Sequence, residues 1–212
     1  MSCLFAFVQI IGVACAQTQA PAHLPQVKPK MMRYAHYDVA SKIKDSEALG
    51  GFWISPNVSQ KFDESIKKLT EALDPKNLTT IAQPVPGTTD ADQMEIMVAN
   101  GTQSIKSLSA QDSCIPLVQE AKDTTGQWRP IEFRKQATCG NSYHTVFLEP
   151  GQFWKLDAPQ NSGPIKTSLR YALTTKDGVV YSREFSGSIQ DTQFIMPIPR
   201  DITAATDSVE KR

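Results

Sequence analysis

Beyond residue 92 the apolar residues fall at every second position, and this period of two limits what the chain can fold into. Met94, Ile96 and Val98 alternate with Glu95 and Met97. Further on, Ile165, Thr167, Leu169, Tyr171 and Leu173 occupy one set of positions, with Lys166, Ser168 and Arg170 between them. Successive side chains of a strand point to opposite faces, so each run offers one apolar face. Turn formers separate the runs: Asn100-Gly101 as a hairpin turn into SIKSLS, DTTGQ between CIPLVQEA and WRPIEFRK, Pro150-Gly151, and Lys176-Asp177-Gly178. Seven or eight short strands result. Short strands at that spacing predict a mainly β chain with an antiparallel β-sandwich over residues 88–199.

Upstream the period is helical. Phe62, Ile66, Leu69 and Leu73 recur at spacings of four, three and four, which predicts an amphipathic helix with these four residues on its buried face. Asn57 or Ser59 can cap its start, Asp63 and Glu64 suit its early turns, and Asp74-Pro75 ends it. The stretch MMRYAHYDVASKI fits helix or loop, Gly50-Gly51 breaks the chain, and QPVPGTTDAD reads as a boundary. Residues 31–87 are therefore expected to form a small helix-containing N-terminal section. Residues 17–30, with three prolines, read as an extended linker, and the polar residues 200–212 as a disordered tail. Residues 1–16 have the shape of a secretory signal peptide, an apolar run closing on Ala14-Cys15-Ala16. The alternative is a lipobox, Ile11 to Cys15, which would leave a lipid anchor on Cys15 as the chain's link to a membrane.

Acidic and basic residues balance at 22 each, so no overall field draws the chain to nucleic acid. In an exported protein Cys114 and Cys139 most simply form a disulfide across the open ends of the CIPLVQEA–WRPIEFRK hairpin. It would close a loop of 24 intervening residues, contributing roughly 3 kcal/mol. The stretch CGNSYHTV also offers a Cys/His pair, but a strand at Tyr143 to Leu148 sends His144 to one side of the sheet, as a surface residue, and away from Cys139. His23, His36 and His144 are scattered, and no zinc, calcium or nucleotide signature occurs, so the expectation is no enzyme, no metal and no cofactor. Asn57, Asn77 and Asn100 head glycosylation sequons that matter only in a eukaryotic pathway. The many aromatics of the strand region, Trp128 and Tyr181 among them, suit the space between two sheets. Phe153 and Trp154 are neighbours on one strand and must face opposite ways, so one of them is a candidate for an exposed partner-binding residue.

Trp128-Arg-Pro-Ile-Glu, Cys139-Gly-Asn-Ser-Tyr, Lys166-Thr-Ser-Leu-Arg170, Tyr181-Ser-Arg-Glu-Phe-Ser-Gly-Ser-Ile189 and Gln193-Phe194 together resemble the C-terminal region of uncharacterised secreted proteins and lipoproteins of Bacteroidetes, over about half the chain. The resemblance implies export by a Gram-negative bacterium, as a secreted, periplasmic or outer-membrane-associated protein, and an immunoglobulin-like sandwich. It carries no activity. The function expected is non-enzymatic binding at the cell envelope, to a protein or glycan, through a rigid sandwich that presents loops and sheet faces. A secreted hydrolase with a pocket between the two sections is the alternative.

Overall fold

The computed structural model describes residues 32–52, 55–71, 76–85 and 93–195. The leader, the linker, Cys15 and the tail lie outside them. In chain order the strands are β1 (Arg33–Tyr34), β2 (Gln60–Lys61), β3 (Leu78–Pro84), β4 (Gln93–Asn100), β5 (Lys106–Gln111), β6 (Leu117–Lys122), β7 (Trp128–Pro130), β8 (Glu132–Phe133), β9 (Tyr143–Leu148), β10 (Gln152–Pro159), β11 (Ile165–Thr175), β12 (Gly178–Tyr181) and β13 (Phe185–Ile189). One helix, α1 (Glu64–Glu71), stands between β2 and β3.

The architecture is mainly β and antiparallel, as the period of two requires. One sheet has the order β2-β10-β4-β3, and the facing sheet β12-β11-β6-β7, with β13 alongside β12 on the same edge of β11. A two-stranded β5–β9 sheet closes one side, and β1–β8 is a short parallel pair. Ile96, Val98, Trp154 and Leu156 of the first sheet meet Leu117, Tyr171 and Leu173 of the second, with Leu108 and Val146 of β5 and β9, in one core. Leu169, Tyr171 and Leu173 are fully buried, as their alternation predicts.

The first sheet is buried on its outer face too. Met97, Ala99 and Phe153 point away from the main core and are covered by Ile66 and Phe62. α1 is thus a lid on that face. Its cap is Asp63, whose Oδ1 accepts the Ile66 N–H at 2.8 Å and the Ser65 hydroxyl at 2.6 Å. Asn57 and Ser59, proposed as caps, have other work: Asn57 Nδ2 donates to the Asp38 carbonyl at 2.8 Å, and the Ser59 hydroxyl donates to Gln152 Oε1 at 2.6 Å. Because the helix starts late, its buried line runs through Ile66 and Thr70, and Leu69 is 41% exposed. Leu73 lies outside the described residues.

Two boundary expectations change. β3 pairs with β4 along its whole length, so the turn-rich stretch 83–92 joins neighbours in one sheet, and the sandwich begins upstream of it. Asn100-Gly101 is not a tight hairpin turn, because β5 pairs with β9 and not with β4. Asn100 is buried and acts as a corner post: its Nδ2 donates to the Ser104 and Leu148 carbonyls, and its Oδ1 accepts from the Thr102 N–H and hydroxyl. With its polar atoms satisfied, Asn100 can be buried where the chain crosses between sheets.

The N-terminal segment is stitched into the sandwich by one carboxylate. Glu132, almost fully buried, accepts from Arg33 Nε at 2.6 Å, from the Tyr37 hydroxyl at 2.9 and 3.0 Å, and from the Gln119 N–H at 2.7 Å. A buried charge is tolerated only with such partners. Burial and the Glu132 carboxylate hold the Tyr37 hydroxyl well above its ordinary pKa. Downstream, Ser41 and Asp45 take the outer N–H groups of β9, those of Phe147 and Thr145, at 3.0 and 2.7 Å.

Candidate functional site

The expected disulfide is absent: Cys114 is a buried free thiol and Cys139 an exposed one. The β6–β7 hairpin forms in the expected place, with Lys122 opposite Trp128 and a turn held by Asp123. Its far ends do not close, because after Ile131, whose N–H still donates to the Gln119 carbonyl at 2.9 Å, the backbone turns to a new partner, and Glu132 and Phe133 pair with Arg33 and Tyr34. Cys139 then opens a short 3-10 turn, Gly140–Ser142.

Cys114 has another neighbour. Its Sγ lies 3.2 Å from His36 Nδ1, and His36 Nε2 lies 3.8 Å from Asp38 Oδ1. Thiol, imidazole and carboxylate thus stand in the order of a nucleophilic triad. The electrostatics are wrong for one. Burial pushes the Cys114 thiol up to about 11, the Asp38 carboxylate adds to this, and Arg134 opposes it only in part. A protonated thiol beside a solvent-exposed imidazole is a weak nucleophile at neutral pH. Sequence spacing offered the wrong pair, Cys139 with His144, because the contact with His36 spans 78 residues.

His144, expected on the surface, is 7% exposed. It sits on the inward face of β9 with Val146, and the Phe52 ring packs on it at 4.9 Å between centroids. Its Nδ1 has no hydrogen-bond partner. Burial lowers its pKa, with the Ser142 carbonyl, Asp45 and Asp112 pulling the other way.

Neither proposed binding aromatic is available. Trp154 is 0% exposed, facing the main core with its Nε1–H donating to the Ala40 carbonyl at 2.9 Å. Phe153 faces the other way and is covered by α1. The two face opposite ways, as the alternation predicts. What the sequence did not show is that the sheet carries a covering on both sides.

The exposed aromatic surface lies on the opposite sheet. Arg170, paired across β11 and β6 with Glu120, donates through Nε to Glu120 Oε2 at 2.8 Å, and its Nη2 stands 2.8 Å from the same oxygen. Its guanidinium lies 4.2 Å from the Trp128 ring centre and 3.7 Å from that of Tyr181. Lys122 stands 4.8 Å from the Trp128 ring centre, with its Nζ 2.9 Å from Glu184. Trp128 and Tyr181 are therefore outer-face residues, Tyr181 47% exposed, and not members of the inter-sheet core. A signal existed in the sequence. Arg170 and Glu120 fall between the core positions of their strands, and the hairpin register carries Trp128 to the same face as Lys122.

Among the described residues no group of three or more His, Cys, Asp or Glu side chains could hold a metal ion, and no helix is long and apolar enough to cross a membrane. No protein-family profile, curated protein or solved structure matches the chain.

Proposed function

We propose that the chain is an exported, non-enzymatic binding protein of the cell envelope, built on an immunoglobulin-like sandwich, and that it meets a protein or glycan partner with the outer face of the β12-β11-β6-β7 sheet. The observation that carries this reading is the Trp128–Arg170–Tyr181 stack. A guanidinium held between two rings and tied to Glu120 is already ordered, so little side-chain entropy is lost when a partner lands on it. Tyr, Trp and Arg are also the residue types that dominate binding hot spots. A hydrolase working through Cys114, His36 and Asp38 is disfavoured by burial of the thiol, which holds it protonated.

The test is binding of the full chain to a glycan array and to blotted envelope proteins, with Tyr181→Ala and Trp128→Ala beside the parent. Loss of about tenfold or more in affinity, about 1.4 kcal/mol, with the fold intact is the expected result. Equal binding by parent and variants would remove the outer face from consideration.

A further inference from the structure

The sheet edges of the molecule differ in how they are guarded. Along β9 the outward N–H groups of Phe147 and Thr145 are taken by Ser41 and Asp45. β7 ends in Pro130, β2 has only two residues, and β3 ends in Pro84. Such features keep an edge from pairing with another chain. β12 is different: Gly178–Tyr181 holds neither proline nor charge, and among the described residues no side chain caps its outer side.

The register of β12 fixes which of its backbone groups are free. Thr175 pairs with Gly178 at the hairpin end, and the Ser182 N–H donates to the Tyr171 carbonyl at 2.9 Å. Bonded and non-bonded pairs alternate along an antiparallel ladder, so Val180 exchanges bonds with Leu173, while Val179 and Tyr181 turn their N–H and C=O groups away from β11. Val179 is 45% and Tyr181 47% exposed, so another chain can reach this row. From Tyr181 to Phe185 the edge advances four residues while β11 recedes three, from Ala172 to Leu169, and that bulge ends the row.

An open groove of about 370 Å³ runs beside it, with Val179 to Arg183 as one wall and the start of β3, Leu78 and Thr80 among it, as the other. Its ends are basic. Lys106 and Lys176, with Asp177, line the hollow that adjoins it at the hairpin end, and Arg183 stands at the other. A row of alternating donors and acceptors is matched by the backbone of an extended peptide. Acidic residues on either side of that peptide would complement the three cations.

We infer that β12 adds a strand: an extended segment of a partner protein, flanked by acidic residues, pairs with the backbone of Val179 and Tyr181 and lays alternate side chains into the groove. The pairing uses only the backbone of Tyr181, so it stands or falls apart from the Trp128–Arg170–Tyr181 stack.

The experiment is an NMR titration of the full chain, 15N-labelled, with synthetic heptapeptides of alternating threonine and valine ended by glutamate or by lysine. The glutamate-ended peptide should saturate by about 1 mM, move the Val179 and Tyr181 amides and slow their exchange. It should bind about fivefold more tightly than its lysine-ended twin. Methylating one alternate set of peptide nitrogens should abolish binding, and methylating the other set should spare it, because only one set faces β12. Val179→Pro removes an outer N–H without touching the bonds to β11, and should weaken the peptide about fivefold to tenfold while the Trp128 indole signal stays in place. Should that variant fail to fold, the two methylated peptides carry the test on the parent chain. Amides of Val179 and Tyr181 that stay still up to about 10 mM peptide, equal binding of both methylated forms, or a lysine-ended peptide that binds as tightly overturns the inference.

Discussion

The outer faces of the two sheets are treated in opposite ways. On β4 and β10 the outward positions are Met97, Ala99 and Phe153, and α1 covers them. On β6 and β11 the outward positions include Glu120, Lys122 and Arg170, and what lies against Arg170 is not a helix but the Trp128 and Tyr181 rings of the same sheet, which leave its side chain 17% exposed. Both arrangements follow from composition within the same alternation. QMEIMVAN is apolar on both sets of positions from Ile96 to Ala99, so it must be buried twice, whereas the outward set of LVQEAK, Val118, Glu120 and Lys122, ends in two charged residues. A face that is covered contributes to stability. One covered only by its own side chains contributes less.

Substitutions break or sharpen this contrast. The largest effect is expected at Trp154, which belongs to the core shared by both sheets: Trp154→Ala should lower the unfolding free energy by about 3–5 kcal/mol in a denaturant titration. Next come the groups between sheet and helix. Phe153→Ala should cost about 3 kcal/mol and Ile66→Ala about 2 kcal/mol, and hydrogen exchange should quicken in α1 before it does in β11. On the helix-free face the effect should fall. Arg170→Ala removes two ring contacts and a partly buried pairing to Glu120, and should cost about 1–2 kcal/mol by the same titration. A cost at Arg170 equal to that at Phe153 would abolish the distinction between helix-covered and helix-free faces.

Acid gives the smallest and most local effect. The Ser65 hydroxyl and the Ile66 N–H hold the Asp63 carboxyl below its ordinary range. A depressed carboxyl stabilises the fold above its unfolded pKa, and that support fades as pH falls through the folded value. The protection of the first α1 amides, measured against their intrinsic exchange rates, should therefore fall below about pH 4, and Asp63→Asn should flatten that dependence.

The two faces also show what a sequence can report. β11 was legible because a half-buried strand writes its orientation as alternation, and Leu169, Tyr171 and Leu173 are where the pattern puts them. The β6–β7 hairpin and the position of α1 were legible for similar local reasons. The placement of Cys114, His144 and Trp154 was not, because each depends on the 32–52 segment, which has no period. That segment brings His36 to Cys114, Phe52 to His144, and the Ala40 carbonyl to the Trp154 indole. The glycine pair before Phe52 looked like a simple break, although the reason for it is the close approach to residues 141 and 142. Asn100-Gly101 misled because a corner that crosses between sheets uses the residue types of a hairpin turn.

The buried carboxylate of Glu132 also sets an order in time. Arg33 and Tyr37 leave the ribosome about a hundred positions ahead of the residue that neutralises one and orients the other. Until the β6–β7 hairpin has been made, the amino-terminal strand lacks its pairing partner β8. Docking of that strand therefore waits for the β6–β7 hairpin and the residues just behind it.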